Sequence, residues 1–284
     1  MRIWLNDFEL NNPAKRVWLS EEDLEGFDLP SIRTSRGQRA GQSGSYFGAQ
    51  VFDARFITIK GTIFSDSVAE ALQRRREIQA ALPLYPDRLT VRILDDDGFA
   101  YILYAQVIDF KMPISRARMR SRFKLELEAP DSTIYDDTAG NELTATIRKV
   151  IPGGYVMNGT SPVFGYSYYF SAGNPNTSVD NLGLITVLPV IEIIGKVTDP
   201  VITNLTTGQV FAMTGYSTSE DSVTIIDMLN RTVKLNGGNV FGYVTMTSEF
   251  WGLVPGTNEI KFESTGGSDV NTGTMKWRPG VRAI

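Results

Sequence analysis

Short runs of apolar or alternating residues, separated by turn-forming residues, recur along the whole chain. In the first half they cover residues 2–5, 56–64, 89–94, 100–108 and 123–127. A two-residue alternation bounded by Gly, Pro, Asn or Asp is typical of half-buried β-strands. The Asp96-Asp97-Gly98 step between the third and fourth runs favours a tight hairpin, because glycine tolerates a positive φ.

One segment has the period of a helix instead. Six apolar positions predict an amphipathic helix over about 67–82: Val68, Ala71, Leu72, Ile78, Ala81 and Leu82. Ser65, Asp66 or Ser67 is available as its N-cap, and Pro83 ends it. The first half is therefore predicted to be α+β but mainly β, with one helix on a β-sandwich or barrel.

The second half contains strand patterns only. Its apolar runs cover residues 187–194, 201–204, 223–227, 232–235, 243–247 and 259–263, with Gly, Pro and Asn between them. No helical period occurs among these runs, so an all-β sandwich is predicted. The Pro, Asp and Gly content of residues 129–142 indicates a boundary. We therefore predict two domains, 1–136 and 137–284.

A polar, glycine-rich segment at residues 31–50 interrupts the first domain. It has too few large apolar side chains to form a core, and such long loops are usually functional or mobile. Its glycines make the backbone permissive, and its arginines offer forked donors to carboxylates. We predict an arm or β-hairpin that reaches the adjacent protomer; a surface loop without a partner is the alternative. The candidate interface residues are Arg33, Arg36, Gly37, Arg39, Gly41 and Gly44.

A second basic cluster has a period of two: Arg116, Arg118, Arg120 and Arg122. On a strand this spacing places four guanidinium groups on one face. Nucleic-acid binding is one interpretation, but the segment lacks the interleaved aromatic residues on which single strands stack. A subunit interface or a solvated strand face is therefore favoured.

Composition excludes several classes of chemistry. The chain has no cysteine, hence no disulfide or thiolate site, and no histidine, the usual general base and metal ligand. The net charge of −4 does not favour nucleic acid as a partner. No stretch approaches the roughly 20 apolar residues of a membrane helix. We therefore predict no catalytic, cofactor-binding or metal-binding residues, and no membrane insertion.

Three local features could carry chemistry but favour a structural role. The acids before Gly98 lack the spacing of a calcium loop, so a solvated hairpin is favoured. The glycines of residues 31–50 are not followed by the Lys-Ser/Thr step of a phosphate-binding loop. Trp251 could stack on a sugar, but an aromatic residue beside a turn of a sandwich more often packs in the core.

Three strings in the second half occur together in one order: VLPVIEIIGKVTDPVITNLTTGQVF, SVTIIDMLNRTVKLNGGN and FWGLVPGTNEIKF. They resemble the C-terminal domain of phage distal tail proteins of siphovirus-type tails. The positions that match the pattern of that family are Pro189, Gly195, Pro200, Asn204, Gly208, Asp227, Arg231, Val233, Leu253, Pro255, Gly256 and Asn258. The first half resembles the same family through its Arg/Gly loop and the strings RFITIKGTIF, RRREIQAAL, DDDGFAY and FKLELEAPDSTIYD.

The resemblance implies a structural virion protein and not an enzyme. Its first domain would form a homo-oligomeric ring, typically a hexamer, at the end of the tail tube, with a galectin-like second domain outside. The ring would link the tail tube protein to the tail-associated tip protein and the receptor-binding protein during adsorption. The protein would be made in the bacterial cytoplasm and located at the tail tip, and DNA would only pass through the lumen.

Carbohydrate binding is the alternative function, in which the second domain would be a carbohydrate-binding module for host-surface glycans. The chain departs from sugar-binding galectins because it has no histidine. We therefore do not transfer their ligand to this sequence.

Overall fold

A computed structural model of the chain describes residues 1–19, 24–84, 86–113, 120–140, 142–150, 154–156, 169–171, 176–267 and 272–284. The chain divides into two compact units. The first unit comprises Met1–Gly140 and Gly280–Ile284, and the second comprises Asn141–Pro279. Among the described residues, strands dominate and a single α-helix is present. The predicted fold class, mainly β with one helix, is confirmed.

The strands of the first unit before the boundary are β1 (Arg2–Leu5), β2 (Phe8–Leu10), β3 (Val17–Trp18), β4 (Leu24–Glu25), β5 (Ile32–Gln38), β6 (Ser45–Phe52), β7 (Arg55–Phe64), β8 (Leu89–Leu94), β9 (Ala100–Lys111), β10 (Arg120–Ala129) and β11 (Ile134–Asp136). The helix α1 (Val68–Ala80) follows β7, and a 3-10 turn (Pro13–Lys15) precedes β3.

The main sheet of this unit is antiparallel and has the order β2-β1-β8-β9-β10-β7-β3. Strands β7 and β10 pair from Phe64 opposite Arg120 to Arg55 opposite Ala129. Alternate residues on each strand are buried, such as Ile59 on β7 and Leu125 on β10. This alternation produces the sequence pattern, because successive side chains of a strand point to opposite faces.

Helix α1 begins where its cap predicts. The Ser67 hydroxyl accepts a hydrogen bond from the Glu70 amide at 3.1 Å, and the Glu70 carboxylate accepts one from the Asp66 amide. The first bond satisfies an amide of the first turn that has no intrahelical acceptor, and the second ties the helix to the residue before its cap. Of the predicted apolar positions on the helix itself, Ala71 and Ile78 are buried, whereas Val68 and Leu72 are exposed.

The strands of the second unit are β12 (Leu143–Arg148), β13 (Gly154–Val156), β14 (Tyr169–Ser171), β15 (Thr177–Asn181), β16 (Val190–Ile194), β17 (Val197–Thr198), β18 (Val201–Asn204), β19 (Gln209–Ala212), β20 (Val223–Asp227), β21 (Thr232–Leu235), β22 (Gly238–Asn239), β23 (Gly256–Glu263), β24 (Gly266–Gly267) and β25 (Thr272–Trp277).

Two sheets form most of this unit. One has six strands in the order β12-β25-β16-β20-β21-β22, and the other has four in the order β15-β23-β18-β19. Both sheets contribute fully buried side chains, Ile191 and Met275 from the first and Ile202 and Phe262 from the second. These buried positions support the predicted all-β sandwich.

The strand predicted at residues 243–247 is wrong. Residues Phe241–Tyr243 form a 3-10 turn, and the Val244 amide donates to the Phe241 carbonyl at 3.0 Å. The alternation of apolar and polar residues is present there, but only Val244 pairs, in an isolated antiparallel bridge with Met213, so no strand extends over these residues. Met246 is fully exposed.

The end of the chain returns to the first unit. Strand β26 (Gly280–Val281) pairs with β11, with Val281 opposite Ile134. The Ile284 amide then donates to the Phe27 carbonyl at 3.2 Å. The last five residues therefore belong to the first unit, although they follow the second unit in sequence.

Candidate assembly surfaces

Strands β5 and β6 form a two-stranded hairpin, which we call the arm (residues 32–52). Their register runs from Ile32 opposite Phe52 to Gln38 opposite Ser45. Among the described residues, the arm pairs with no other sheet. Gly41 and Gly44 at its turn have φ of 68° and 106°, a conformation that favours glycine. An isolated two-stranded ribbon is marginally stable in water, so contacts with another surface would stabilise the arm.

The arm also exposes large apolar side chains. Tyr46 and Phe47 are 57% and 63% exposed, and Ile32 and Val51 are exposed as well. The Arg36 guanidinium lies 5.1 Å from the centroid of the Phe47 ring. Arginine together with exposed aromatic residues is the composition of protein interfaces. The sequence pattern indicated the arginines of this segment as interface residues but not its exposed aromatic residues.

The predicted residues of segment 31–50 all lie on the arm. Arg33, Arg36 and Gly37 are on β5, and Gly41 and Gly44 lie in the turn. The Arg39 amide donates to the Gly44 carbonyl at 3.3 Å, just beyond the strand.

Arg55, at the start of β7 beside the base of the arm, is 1% exposed. Its guanidinium donates to four backbone carbonyls: Gly26 at 2.7 Å, Asp28 at 2.5 Å, Ser132 at 3.0 Å and Arg282 at 2.6 Å. One buried cation therefore joins four segments of the first unit. Hydrogen bonds from a charged donor are stronger than those between neutral groups, which suits a buried guanidinium that forms no ion pair with the described carboxylates.

Two further contacts fix this junction. Gly26 has a φ of 94°, and a Cβ there would lie 2.0 Å from the Phe56 carbonyl oxygen, so no larger residue fits. The Arg282 guanidinium lies 5.0 Å from the centroid of Phe52, the last residue of the arm. Arg282 thus accepts a hydrogen bond from Arg55 at its backbone and covers the base of the arm with its side chain.

A second surface lies near the other end of β7. Lys124 of β10 stands directly opposite Lys60 of β7 and Lys111 of β9. These lysines and Arg120 and Arg122 line a cavity of about 520 Å³, which we call the basic pocket. Like charges directly opposite one another destabilise a sheet. The lysine row therefore requires compensation.

Carboxylates supply that compensation. Each lysine of the row contacts one acid: Lys60 contacts Glu25 at 2.5 Å, Lys111 contacts Asp109 at 2.6 Å, and Lys124 contacts Glu126. The hydrogen bonds from the lysines lower the pKa of Glu25 and of Asp109, and the bond to Asp109 raises the pKa of Lys111.

The two arginines of the pocket differ from the lysines. Within the described ranges, Arg120 and Arg122 have no carboxylate partner. Arg120 instead lies 5.6 Å from the centroid of Phe64. The other members of the predicted cluster, Arg116 and Arg118, lie outside the described residues. The arm meets the sheet at Arg55, so the structure places the two predicted arginine groups at different ends of β7.

In the second unit, two buried asparagines hold neighbouring turns. The Asn204 amide group donates to the Asn258 side-chain oxygen at 3.2 Å and to the Gly252 carbonyl at 3.1 Å. The Asn258 amide group donates to the Val254 and Gly256 carbonyls at 2.8 and 3.0 Å, and its oxygen accepts from the Val254 amide at 3.0 Å. Both side chains are fully buried. Their role is to fix the turns.

Residues 183–280 match the family model described as siphovirus-type tail component, C-terminal domain. All of the matched residues except the last lie in the second unit. The match spans every position from Pro189 to Asn258 that carries the resemblance, which is thereby confirmed. Several of these positions have a physical role in the domain: Gly208 and Gly256 have positive φ, Val233 is buried, and Asn204 and Asn258 hold turns.

Solved structures resemble the chain along nearly its whole length. The crystal structure of SPP1 Dit (gp 19.1), described as a paradigm of hub adsorption apparatus in phages infecting Gram-positive hosts, has a TM-score of 0.63 at 14% identity and covers 98% of both chains. Two structures of the phage P2 baseplate in its activated conformation, with Ca and with Sr, each have a TM-score of 0.55. Their identities are 11% and 12%, over 100% of this chain and 98% of theirs. These likenesses show a shared fold. A search of curated proteins gives no match.

Sugar stacking, a metal site and a membrane helix find no support among the described residues. Trp251 is 1% exposed and its indole N–H donates to the Ile202 carbonyl at 3.3 Å, so it offers no stacking surface to a sugar. Within the described ranges no group of three or more acidic side chains is placed to hold a metal ion. No helix there is long and apolar enough to cross a membrane.

Proposed function

We propose that the chain is a structural component of the distal end of a phage tail, where its first unit forms a closed homo-oligomeric ring, a hexamer. The match of residues 183–280 to the siphovirus-type tail component carries this proposal. The likeness of the whole chain to a phage hub protein and to a baseplate supports it. The ring joins the tail tube protein to the tip protein and the receptor-binding protein, and DNA passes through its lumen.

The exposed apolar surface of the arm supports a ring. It exposes Ile32, Tyr46, Phe47 and Val51 and belongs to no larger sheet among the described residues. Burying a large apolar side chain contributes about 1.5–3 kcal/mol, so packing against a neighbour would stabilise an otherwise marginal hairpin. When each protomer inserts its arm into the next, every arm is covered only if the assembly closes on itself.

The chain carries out no catalytic step in this proposal. Three of its fully buried polar side chains hold backbone segments: Arg55 bonds four carbonyls, and Asn204 and Asn258 bond the turns of the second unit. The fold is thus a scaffold whose exposed surfaces make the functional contacts.

Mass measurement over a range of concentrations tests the ring directly. We expect light scattering and native mass spectrometry of the full chain to give a closed oligomer at high concentration, and negative-stain images to show rings. Antibodies against the chain should label one end of intact tails. A chain that stays monomeric at every concentration, with no label on tails, would contradict the proposal.

A further inference from the structure

We propose that the basic pocket of one protomer receives the acidic tip of the β8–β9 hairpin (residues 95–97) of the next protomer. The contact rests on the proposed ring and specifies how its protomers recognise one another. The acidic tip adjoins the start of β9 and the basic pocket adjoins its end. The partner is a second copy of this chain.

The two surfaces cannot meet within one protomer. The acidic tip ends three residues before Ala100, where β9 begins, and Lys111 at the end of β9 lines the basic pocket. A strand of this length spans about 36 Å at roughly 3.3 Å per residue. Any contact between tip and pocket is therefore made between copies, with different surfaces meeting on the two sides. Such head-to-tail contacts generate rings when the rotation closes.

The tip has carboxylates to offer. Asp95, Asp96 and Asp97 are all exposed, and Asp96 contacts the terminal ammonium group of Met1. In the described part of the chain, Asp95 and Asp97 have no cationic partner. The Gly98 amide donates to the Asp95 carbonyl at 3.1 Å, which closes the turn that presents them.

The neighbourhood of the tip is also acidic. Tyr101 of β9 lies opposite Asp136 of β11. Burial, and after it the charges of Asp136, Asp95 and Asp97, raise the pKa of Tyr101. Carboxylates from two elements thus act on the same position, which extends the negative surface beyond the turn.

The pocket has complementary donors. Its three lysines are each compensated by an acid, whereas Arg120 and Arg122 are exposed and without a carboxylate among the described residues. The two arginines are two positions apart on β10, so both guanidinium groups lie on one face. Arginine binds carboxylates through two parallel hydrogen bonds, which makes it specific for such a partner. The cavity of about 520 Å³ gives room for side chains of a turn.

The charge distribution also disfavours two-fold contacts centred on either surface. A two-fold contact centred on either surface would place tip against tip or pocket against pocket. Both arrangements bring like charges together, which costs free energy at an interface. Head-to-tail contacts bring opposite charges together in every interface of the ring.

Charge reversal in two separate chains tests this arrangement. The tip variant carries Asp96→Lys and Asp97→Lys, and the pocket variant carries Arg120→Glu and Arg122→Glu. Each variant alone places like charges in every interface, so we expect the concentration needed for assembly to rise about tenfold or more. An equimolar mixture restores opposite charges and should assemble as strictly alternating rings with an even number of protomers. The chain that carries all four changes should assemble alone.

Matched controls separate charge at these surfaces from net charge. Glu220→Lys with Asp221→Lys changes two exposed acids of the second unit to the same extent and should assemble like wild type. Arg120→Lys with Arg122→Lys keeps the charge of the pocket and should also assemble. Circular dichroism establishes that each chain is folded before its assembly is measured by light scattering and native mass spectrometry.

The outcomes distinguish this contact from the ring itself. Wild-type rings together with normal assembly of the tip and pocket variants would overturn the contact and leave the ring intact. Loss of assembly in both variants, without rescue in the mixture or in the chain with four changes, would overturn it as well. A wild-type chain that never assembles would overturn the ring and the contact together.

Discussion

The Arg55 guanidinium donates a hydrogen bond at 2.6 Å to the backbone carbonyl of Arg282, a residue 227 positions further along the chain. Three more carbonyls accept from the same guanidinium, so a single side chain joins the end of the chain to the sheet beside the arm. Residues 280–284 are therefore part of the structure that supports the arm.

We expect Arg55→Met to destabilise the first unit by about 3 kcal/mol, because four carbonyls lose a charged donor in a buried site. Urea unfolding followed by tryptophan fluorescence measures the change. Arg55→Lys keeps the charge but cannot reach four carbonyls, so it should recover only part of the loss. An unchanged urea midpoint for Arg55→Met would show that the junction contributes little.

Asn258→Asp should destabilise the second unit by about 2–4 kcal/mol, since a carboxylate would face the Val254 and Gly256 carbonyls that now accept from the amide group. Differential scanning calorimetry measures the shift of the thermal transition. Asn176→Asp is the matched control, because it makes the same change at an exposed position and should leave the transition in place. Equal effects of the two changes would argue against a buried role for Asn258.

The sequence predicts the elements better than it predicts these junctions. Strands such as β7 and β10 are recognisable because every second residue enters the core, and α1 is recognisable from its cap. Arg55 and Asn258 bond to backbone carbonyls, which any residue can supply, and the partners of Arg55 are distant in sequence. No local pattern marks the contacts of Arg55, and the family pattern that includes Asn258 does not show which carbonyls its amide group bonds. The alternation at residues 243–247 is misleading for the opposite reason, since a local pattern exists there but the pairing is a single bridge from Val244 to Met213.

Some features of the candidate assembly surfaces are likewise recognisable from the sequence, and others are not. The glycines and arginines of residues 31–50 identify the arm, because a segment so poor in large apolar groups cannot form a core. The exposure of Phe47 and the separation of Lys111 from the acidic tip depend on pairing and on strand length, which appear only in the folded chain.

Replacing Arg33, Arg36 and Arg39 together with Glu should weaken ring assembly and leave the melting temperature of the monomer nearly unchanged, because exposed substitutions usually cost little stability. A variant with Lys at the same three positions keeps the positive charge and should assemble more readily than the variant with Glu. Analytical ultracentrifugation measures assembly for both. Rings that form normally with the Glu changes would remove the arginines from the interface, and a large fall in melting temperature would assign them to the core.

The two units should also unfold independently. We expect a fragment of residues 141–279 to give one cooperative thermal transition, because it contains both large sheets of the sandwich. A fragment of residues 1–140 should be less stable than the same fragment with residues 280–284 attached by a flexible linker. Residues 280–284 supply the partner strand of β11 and an acceptor for Arg55. Insolubility of 141–279, or no gain from the attached tail, would contradict this division.

The ion pairs formed by the lysines of the basic pocket should depend on pH. The hydrogen bond from Lys111 lowers the pKa of Asp109, and that from Lys60 lowers the pKa of Glu25. A carboxyl whose pKa is lower in the folded state stabilises the fold above its unfolded pKa, and this contribution is lost as the pH falls through the folded pKa. The pairs should therefore persist to a pH below the ordinary range of these carboxyls. NMR titration of the side-chain carboxyl carbons should give a midpoint for Asp109 below its ordinary value. Lys111→Met should raise that midpoint and leave that of Glu25 in place, because Lys60 still bonds Glu25. A midpoint for Asp109 that does not respond to Lys111→Met would show that the pair does not persist in solution.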